Sequence, residues 1–238
     1  MPNFASLPEP SLRLPTLKPV ENVTLREQVT QSVRTALMNG HFQPGQPVTV
    51  KAISVMLGAS VMPAREAMTR LIAEGALELR PNRTAIVPII SQAEFDEVTE
   101  LRCHAEGLAA ARAVNRIGKR DLDQLKLLDA DMRLAGHSGD VNTYLAKNFD
   151  FHFLMYRQGA SKFVLAIIEK LWVRVGPLIR WSFNDTGFID AGRSHHDIVD
   201  AIENGRSQML RAAIEADIQS AAETIRKAQA GQPGWSDS

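Results

Sequence analysis

The stretch SVMPAREAMTRLIAEG at residues 60–75 decides how the front of the chain folds. Its apolar residues recur three and four positions apart, which places them on one face of a helix, and Gly75 follows as a stop signal. Ser60 belongs to the residue types that cap helix N-termini, and the proline at position 63 is tolerated because first-turn N–H groups have no intrahelical partner. The stretch therefore predicts an amphipathic helix whose outer face carries Arg65.

Shorter elements surround this helix. Apolar spacing predicts one helix at residues 24–38 and another at residues 50–57, each followed by a glycine. Extended apolar stretches at residues 76–80 and 84–88 flank a Pro-Asn pair, which is a hairpin signal. Three short helices and a hairpin predict a winged helix-turn-helix DNA-binding domain, with a small β-hairpin wing, at residues 19–90.

The rest of the chain shows only helical patterns. No strand signal follows residue 91, and we assign residues 91–230 to an all-α helical bundle, so that the fold class is mainly α. We predict disordered tails at residues 1–18 and 231–238. The helices of the bundle are predicted to break at residues 115–118, 136–139, 159, 176–177, 185–187 and 204–205.

Charge distinguishes the two halves only slightly. The formal net charge is zero at neutral pH. Residues 19–90 carry seven Lys or Arg against five acids, and residues 91–230 carry eighteen against twenty. The slightly basic front is favoured as the nucleic-acid end, although the difference is too small to identify one alone.

Compartment and membrane contact follow from composition. Cys103 is the single cysteine, so an intrachain disulfide is excluded and a reducing compartment is the simpler assumption. The apolar runs, such as residues 163–168, are too short to cross a bilayer, and the proline-rich beginning lacks a signal-peptide core. We therefore predict a cytoplasmic protein with no membrane partner.

A cation interrupts the apolar stripe of the helix predicted after Ser91. Arg102 lies in line with Phe95 and Ala109 on the face that should pack inward. Burying a charge costs several kcal/mol unless it finds a partner. Arg102 therefore extends its charge to solvent, pairs with Glu106 one turn on, or meets an anionic ligand.

Polar residues interrupt three further stripes. Asn148 and His152 stand one helical turn, about 6 Å, apart, which suits two ligands of one metal. Of the neighbouring histidines near residue 195, the stripe selects His195, because successive residues are about 100° apart on a helix. Asp217 interrupts a third stripe. A lone inward histidine is more often an ordinary core residue, but several polar groups in one bundle favour a metal or ligand site.

Two sets of motifs carry a resemblance to a known family. NGHFQPG at residues 39–45, followed by residues 53–57 and 60–75, resembles the DNA-binding domain of the GntR family. LRCHAEGLA at residues 101–109, NFDFH at 148–152 and HHDIVDAI at 195–202 resemble the FCD ligand-binding domain of its FadR-like branch. The resemblance implies a homodimeric transcriptional regulator of palindromic double-stranded operator DNA, controlled by a small carboxylate effector.

The resemblance also implies which residues contact DNA. The sequence departs from the family pattern at Val61, where an arginine is usual, and at Thr84, where glycine is usual. The first change removes a bidentate base-reading donor, so we expect a different operator or weaker binding. The positions that match the family's DNA contacts are Lys51, Ser60, Arg65, Arg83 and Thr84.

In the helical domain the resemblance places Arg102 in the effector pocket. It also implies a divalent metal held by Asn148, His152, His195 and Asp217. Many relatives use one aspartate and three histidines, whereas here Asn148 replaces the carboxylate and Asp217 replaces a histidine. One carboxylate and two imidazoles are a set that zinc, nickel or manganese uses.

Two other function classes remain open from the sequence. Two histidines and an aspartate also activate water in metal-dependent hydrolases, but Glu106 is the one further acid or base placed for such chemistry. Alternatively, Val61 marks a dimeric interaction module whose DNA binding is weakened. The non-enzymatic regulator is the favoured prediction.

Overall fold

The head of the molecule is a three-helix unit. The computed structural model describes residues 24–182, 188–230 and 235, so the tail predicted at residues 1–18 and the helix break predicted at 185–187 lie outside the described residues. The head helices are α1 (Leu25–Met38), α2 (Val50–Leu57) and α3 (Val61–Ala73).

Local sequence explains where these helices begin and end. Thr24 and Glu27 form a reciprocal capping box at the start of α1. Gly58 ends α2 in the left-handed conformation, with φ of 59°, which glycine adopts without steric cost. Both helices therefore stand where the sequence predicts them.

A three-stranded antiparallel sheet completes the head. Its strands are β1 (Pro47–Val48), β2 (Glu78–Leu79) and β3 (Ala85–Ile86), in the order β1-β3-β2. Ile86 lies opposite both Pro47 and Glu78. The β2–β3 hairpin is the predicted wing, whereas β1 was not predicted, because two residues after a Pro-Gly turn carry no alternation to detect.

The remainder of the described chain is a helical bundle. In α4, Ser91 and Glu94 form a capping box, and this helix packs against α6, α7 and α9. No helix among the described residues has the length and apolarity to cross a membrane. The helices are α4 (Gln92–Ala113), α5 (Lys119–Ser138), α6 (Val141–Gly159), α7 (Lys162–Ile179), α8 (Phe188–Glu203) and α9 (Ser207–Gln229).

The break predicted at residues 176–177 is wrong. Helix α7 continues through Gly176 and Pro177 to Ile179 and then tightens into a 3-10 turn at Arg180–Ser182. Pro177 lies in the last turn of α7, where its missing N–H removes one hydrogen bond from the helix. Gly176 serves packing instead, since a Cβ there would stand 2.3 Å from the carbonyl oxygen of Leu37. The glycine lets α7 approach the end of α1 in the head.

Trp235 differs from the expected disordered tail. Its side chain is buried, its ring centroid lies 5.3 Å from that of Phe95, and its carbonyl accepts a 2.8 Å hydrogen bond from the N–H of Gln92. The sequence of residues 231–238 is polar and rich in glycine, which predicts disorder. Even so, the large aromatic side chain of Trp235 packs against the start of α4. The other residues of 231–238 lie outside the described residues.

Candidate metal and ligand centre and DNA interface

A cavity in the helical bundle brings the predicted polar residues together. It has a volume of about 70 Å³, the space of a few water molecules. Its apolar walls include Phe95, Trp172 and Ile179. Its polar lining includes every residue that the sequence placed in the ligand and metal sites, namely Arg102, Asn148, His152, His195 and Asp217.

Two histidines and one carboxylate converge at the polar end of this cavity. Nε2 of His152 lies 3.4 Å from Oδ2 of Asp217, and Nε2 of His195 lies 4.0 Å from Oδ1 of the same carboxylate. Nε2 of His195 also lies 3.2 Å from Oδ1 of Asn148. Helices α6, α8 and α9 thus each contribute at least one polar group to one point.

A buried hydrogen-bond chain orients His152. Tyr156, one turn on in α6, donates its hydroxyl proton to Glu106 at 2.6 Å, and the same oxygen lies 3.1 Å from Nδ1 of His152. Because a phenol has one proton to give, its oxygen accepts from Nδ1–H of His152. Nε2 of His152, on the other side of the ring, faces Asp217.

Ring packing, together with the hydrogen bond between Nε2 and Asn148, holds His195. Its Nδ1 is buried with no hydrogen-bond partner among the described residues. Its ring meets Phe151 edge to face, with centroids 4.9 Å apart. The two imidazoles are therefore fixed in different ways.

Burial sets the protonation of the centre. Desolvation lowers the pKa of His195 to about 4, so this imidazole is neutral at neutral pH. Desolvation acts to raise the pKa of Asp217, but the contacts with His152 and His195 and the charge of Arg102 outweigh it, so the pKa is lowered. Burial, then the charge of Glu106, raises the pKa of Tyr156 well above its usual value. A neutral imidazole and a carboxylate are the forms that bind metal.

The donor set fits a divalent transition metal. Nε2 of His152 and Oδ2 of Asp217 lie 3.4 Å apart. Two ligand atoms of one tetrahedral zinc ion stand about 3.3 Å apart. The same three side chains are the group of metal-type ligands found among the described residues, with all ligand atoms within 4.8 Å of one another.

Arg102 has the internal partner that the sequence left open. Its Nε donates to Oε1 of Glu106 at 2.7 Å and its Nη2 lies 3.4 Å from Oε2. Its guanidinium carbon lies 4.9 Å from the ring centroid of Trp172. The pair with Glu106 uses two of the five N–H donors of the guanidinium, and the others remain for a ligand.

Two residues of the centre were not predicted. Tyr156 stands four positions after His152, so the i, i+4 spacing on α6 was the available signal. Trp172 sits in α7, where an apolar run looks the same whether it lines a cavity or fills a core. Sequence periodicity shows that a residue points inward but does not show what it touches.

The predicted DNA-reading residue lies on the outer face of α3. Arg65 is exposed, and no ion pair with it is found among the described residues. Ser60 stands at the N-cap of α3 but makes no side-chain capping hydrogen bond. Lys51 is exposed in the first turn of α2. These three residues lie near helix N-termini, where positive dipole ends favour phosphate.

The wing tip carries the other two predicted contacts. Arg83 is exposed and has a φ of 62°, and no other non-glycine residue among those described has a positive φ. The turn is closed by a 2.9 Å hydrogen bond from the N–H of Arg80 to the carbonyl of Thr84. The left-handed position is therefore occupied by Arg83 rather than by Thr84, which is half-buried beside β3.

The fold and the site define a class of protein, namely a DNA-binding head joined to a helical domain with a polar ligand cavity. Comparison with known families identifies it. Residues 25–87 match the family described as bacterial regulatory proteins, gntR family, and residues 97–220 match the FCD domain. The chain belongs to the GntR family and carries an FCD domain.

Relatives agree with this assignment. The chain is 29% identical over 170 residues to the HTH-type transcriptional regulator McbR of Escherichia coli, covering 71% of this chain and 77% of that one. It is 28% identical over 199 residues to the probable D-xylose utilization operon transcriptional repressor of Paenarthrobacter nicotinovorans, covering 84% and 88%. The chain is accordingly a DNA-binding transcriptional regulator and not an enzyme.

Solved structures share the fold. That of E. coli McbR/YncC superposes with a TM-score of 0.80 at 25% identity, covering 87% of this chain and 99% of that chain. A putative GntR regulator from Rhodococcus sp. RHA1 gives a TM-score of 0.65 at 18% identity, covering 85% and 97%. The winged head and the all-helical second part are confirmed.

Proposed function

We propose that the cavity holds one divalent transition metal and a small carboxylate effector, and that the effector controls operator binding by the head. His152, His195 and Asp217 would hold the metal, with the amide oxygen of Asn148 beside them. The observation that carries this proposal is the convergence of these three side chains, whose ligand atoms all lie within 4.8 Å of one another. Zinc, nickel and manganese all accept this ligand set.

The charges of the cavity link the metal to the effector. Arg102 and Glu106 offset each other, the imidazole of His195 is neutral, and Asp217 leaves an excess negative charge. A bound divalent cation supplies Lewis-acid charge that turns this balance positive. The cavity would then attract a carboxylate, which the remaining N–H groups of Arg102 would bind.

Metal content tests the first part. Purified protein dialysed against zinc, nickel or manganese should retain one equivalent of one of them, measured by elemental analysis. His152→Ala and Asp217→Ala should lose it, while His196→Ala should not, since His196 is exposed on the other side of α8. Equal metal content in the wild type and in both ligand variants would refute the site.

A ligand screen tests the second part. Small organic acids should raise the melting temperature of the metal-loaded protein, and chelation should abolish the rise. Arg102→Gln should retain metal but lose the response. An effector that leaves the operator Kd unchanged at saturation would refute control of DNA binding.

We propose the same DNA contacts as those expected from the sequence. Arg65 would read a base edge from α3, Lys51 and Ser60 would contact phosphate, and Arg83 with Thr84 would meet the minor groove. Ser60 has its hydroxyl unused by capping, which supports a phosphate contact. Arg65→Ala should weaken operator binding about tenfold or more at moderate salt, whereas Arg120→Ala, on α5, should not.

We also propose a homodimer. Helices α4 and α7 pack together, and each exposes large apolar side chains: Leu101 and Leu108 on α4, Phe163 and Ile167 on α7. Phe163 is 84% exposed, and such patches mark interaction surfaces. Two heads would then bind the halves of a palindromic operator. Sedimentation should give a dimer for the wild type and a monomer for the double variant Phe163→Asp and Ile167→Asp.

A further inference from the structure

Two adjacent apolar residues are exposed at the start of α3, the proposed recognition helix. Val61 is 53% exposed and Met62 is 64% exposed, in the first turn of α3. Scattered exposed apolar residues are ordinary on protein surfaces. In a helix-turn-helix, however, the N-terminal residues of the second helix are those that contact base edges in the major groove.

The chemistry of this turn limits what it can read. Val61 and Arg65 stand one helical turn apart on one face, and Met62 lies beside Val61. Val61 has no hydrogen-bonding side-chain atom, and the thioether of Met62 is a weak acceptor with no donor. Neither can recognise a guanine, adenine or cytosine through strong hydrogen bonds. The one apolar group on the floor of the major groove is the C5 methyl of thymine.

We infer that Val61 and Met62 recognise thymine methyl groups, so that each operator half-site carries thymine next to the base that Arg65 reads. This inference rests on the proposed placement of α3 in the major groove. The partner is duplex DNA whose A·T pairs are distinguished by their methyl groups rather than by a second arginine–guanine contact.

Deoxyuridine gives a sharp test, because it pairs as thymidine does but lacks the methyl group. An operator is first selected from random duplex DNA with the wild-type protein. Each thymine is then replaced singly by deoxyuridine, and Kd is measured by fluorescence anisotropy at one salt concentration. At one or two thymines per half-site the wild-type Kd should rise about fourfold, which corresponds to one buried methyl group.

Variants assign the effect to the two residues. Val61→Ala and Met62→Ala should bind the thymine operator more weakly and should lose sensitivity to deoxyuridine at the position that each contacts. Leu134→Ala removes an apolar side chain that is 72% exposed on α5 and should keep the wild-type pattern. Circular dichroism should show no change in folding for any of the three.

The outcomes separate this inference from the proposed DNA contacts. If no deoxyuridine substitution changes the wild-type Kd while Arg65→Ala still weakens binding, methyl recognition is overturned. The placement of α3 in the major groove is then still supported. Sensitivity that persists unchanged in both variants assigns the methyl contact to other residues and also overturns it. If Arg65→Ala does not change operator binding, the proposed placement of α3 in the major groove is refuted. The inference of methyl recognition is then refuted as well.

Discussion

The phenol oxygen of Tyr156 lies 3.1 Å from Nδ1 of His152. Since the hydroxyl proton of Tyr156 is donated to Glu106, this contact fixes the tautomer of His152. Glu106 in turn is held by Arg102. One buried chain of hydrogen bonds thus runs from Arg102, the proposed effector contact, to His152, a proposed metal ligand.

Removing the hydroxyl of Tyr156 should weaken metal binding. Tyr156→Phe leaves the ring in place but no longer fixes the tautomer of His152, and the loss of such outer partners typically costs 10- to 100-fold in metal affinity. Competition titration with a chromophoric chelator measures the change. Met155→Leu, a volume-conserving change at a buried neighbour in α6, should leave the affinity unchanged. Equal affinities for Tyr156→Phe and the wild type would contradict the role.

Breaking the buried ion pair should destabilise the bundle. Glu106→Gln removes the hydrogen-bonded counter-charge of the buried Arg102 guanidinium, which costs about 3–5 kcal/mol in unfolding free energy. The double variant Arg102→Met and Glu106→Gln removes the stranded charge and should recover part of this loss. Urea denaturation of the metal-free protein measures both. A single variant as stable as the wild type would show that the charge is already solvated.

Gly159 should tolerate no side chain. A Cβ at this position would stand 1.8 Å from the carbonyl oxygen of Ala109 and 2.8 Å from the backbone nitrogen of Ala113. Because both are backbone atoms, α4 and α6 would have to separate, and Gly159→Ala should cost about 3 kcal/mol or more. Gly118→Ala meets no atom within 4 Å and should change stability by no more than about 1 kcal/mol. Denaturation midpoints compare the two.

The head could be predicted almost completely from its sequence. Its helices are short, capped by Thr24 or ended by Gly58, and their apolar periodicity is unambiguous. The strand β1 was missed because it is defined by its partner β3 rather than by its own residues. The prediction of a helix break at residues 176–177 was wrong for a related reason. Gly176 allows close contact with α1, and such a tertiary contact cannot be recognised from the neighbouring residues alone.

The centre could be predicted as a set of inward positions but not as a network. The periodicity of the apolar stripes identified His152, His195 and Asp217 as inward-pointing, because each of these residue types is unusual on an apolar face. Periodicity left three alternatives for Arg102, and the pair with Glu106 is seen only once the rotamers are known. Trp235 could not be predicted, because its contact with Phe95 spans most of the bundle sequence.

Trp235 should stabilise the wall of the cavity. Its ring packs on Phe95, which lines the cavity, and its carbonyl accepts from the first turn of α4. Trp235→Ala should cost about 2–3 kcal/mol, less than a fully enclosed core tryptophan. Thermal unfolding measures the loss, and Met209→Ala, which is half-exposed in α9, should change stability by less than about 0.5 kcal/mol. No difference between the two would show that the tail contact is not stabilising.

Arg180 should couple the cavity to the head. Its Nε donates to the carbonyl of Gly40 at 3.1 Å, in the turn that follows α1, and its chain neighbour Ile179 lines the cavity. A shift of the end of α7 on effector binding would therefore move the end of α1. Without the hydrogen bond from Arg180 to Gly40, the shift would no longer be transmitted to the head.

Arg180→Ala should accordingly bind metal and effector as the wild type does but lose most of the change in operator Kd that the effector causes, a change typically of about 5- to 150-fold. Anisotropy titrations with and without the saturating effector measure the ratio, and Lys162→Ala, exposed at the start of α7, should keep it. If Arg180→Ala keeps the full ratio, the signal reaches the head by another contact, of which the close approach of Gly176 to Leu37 is the next to test.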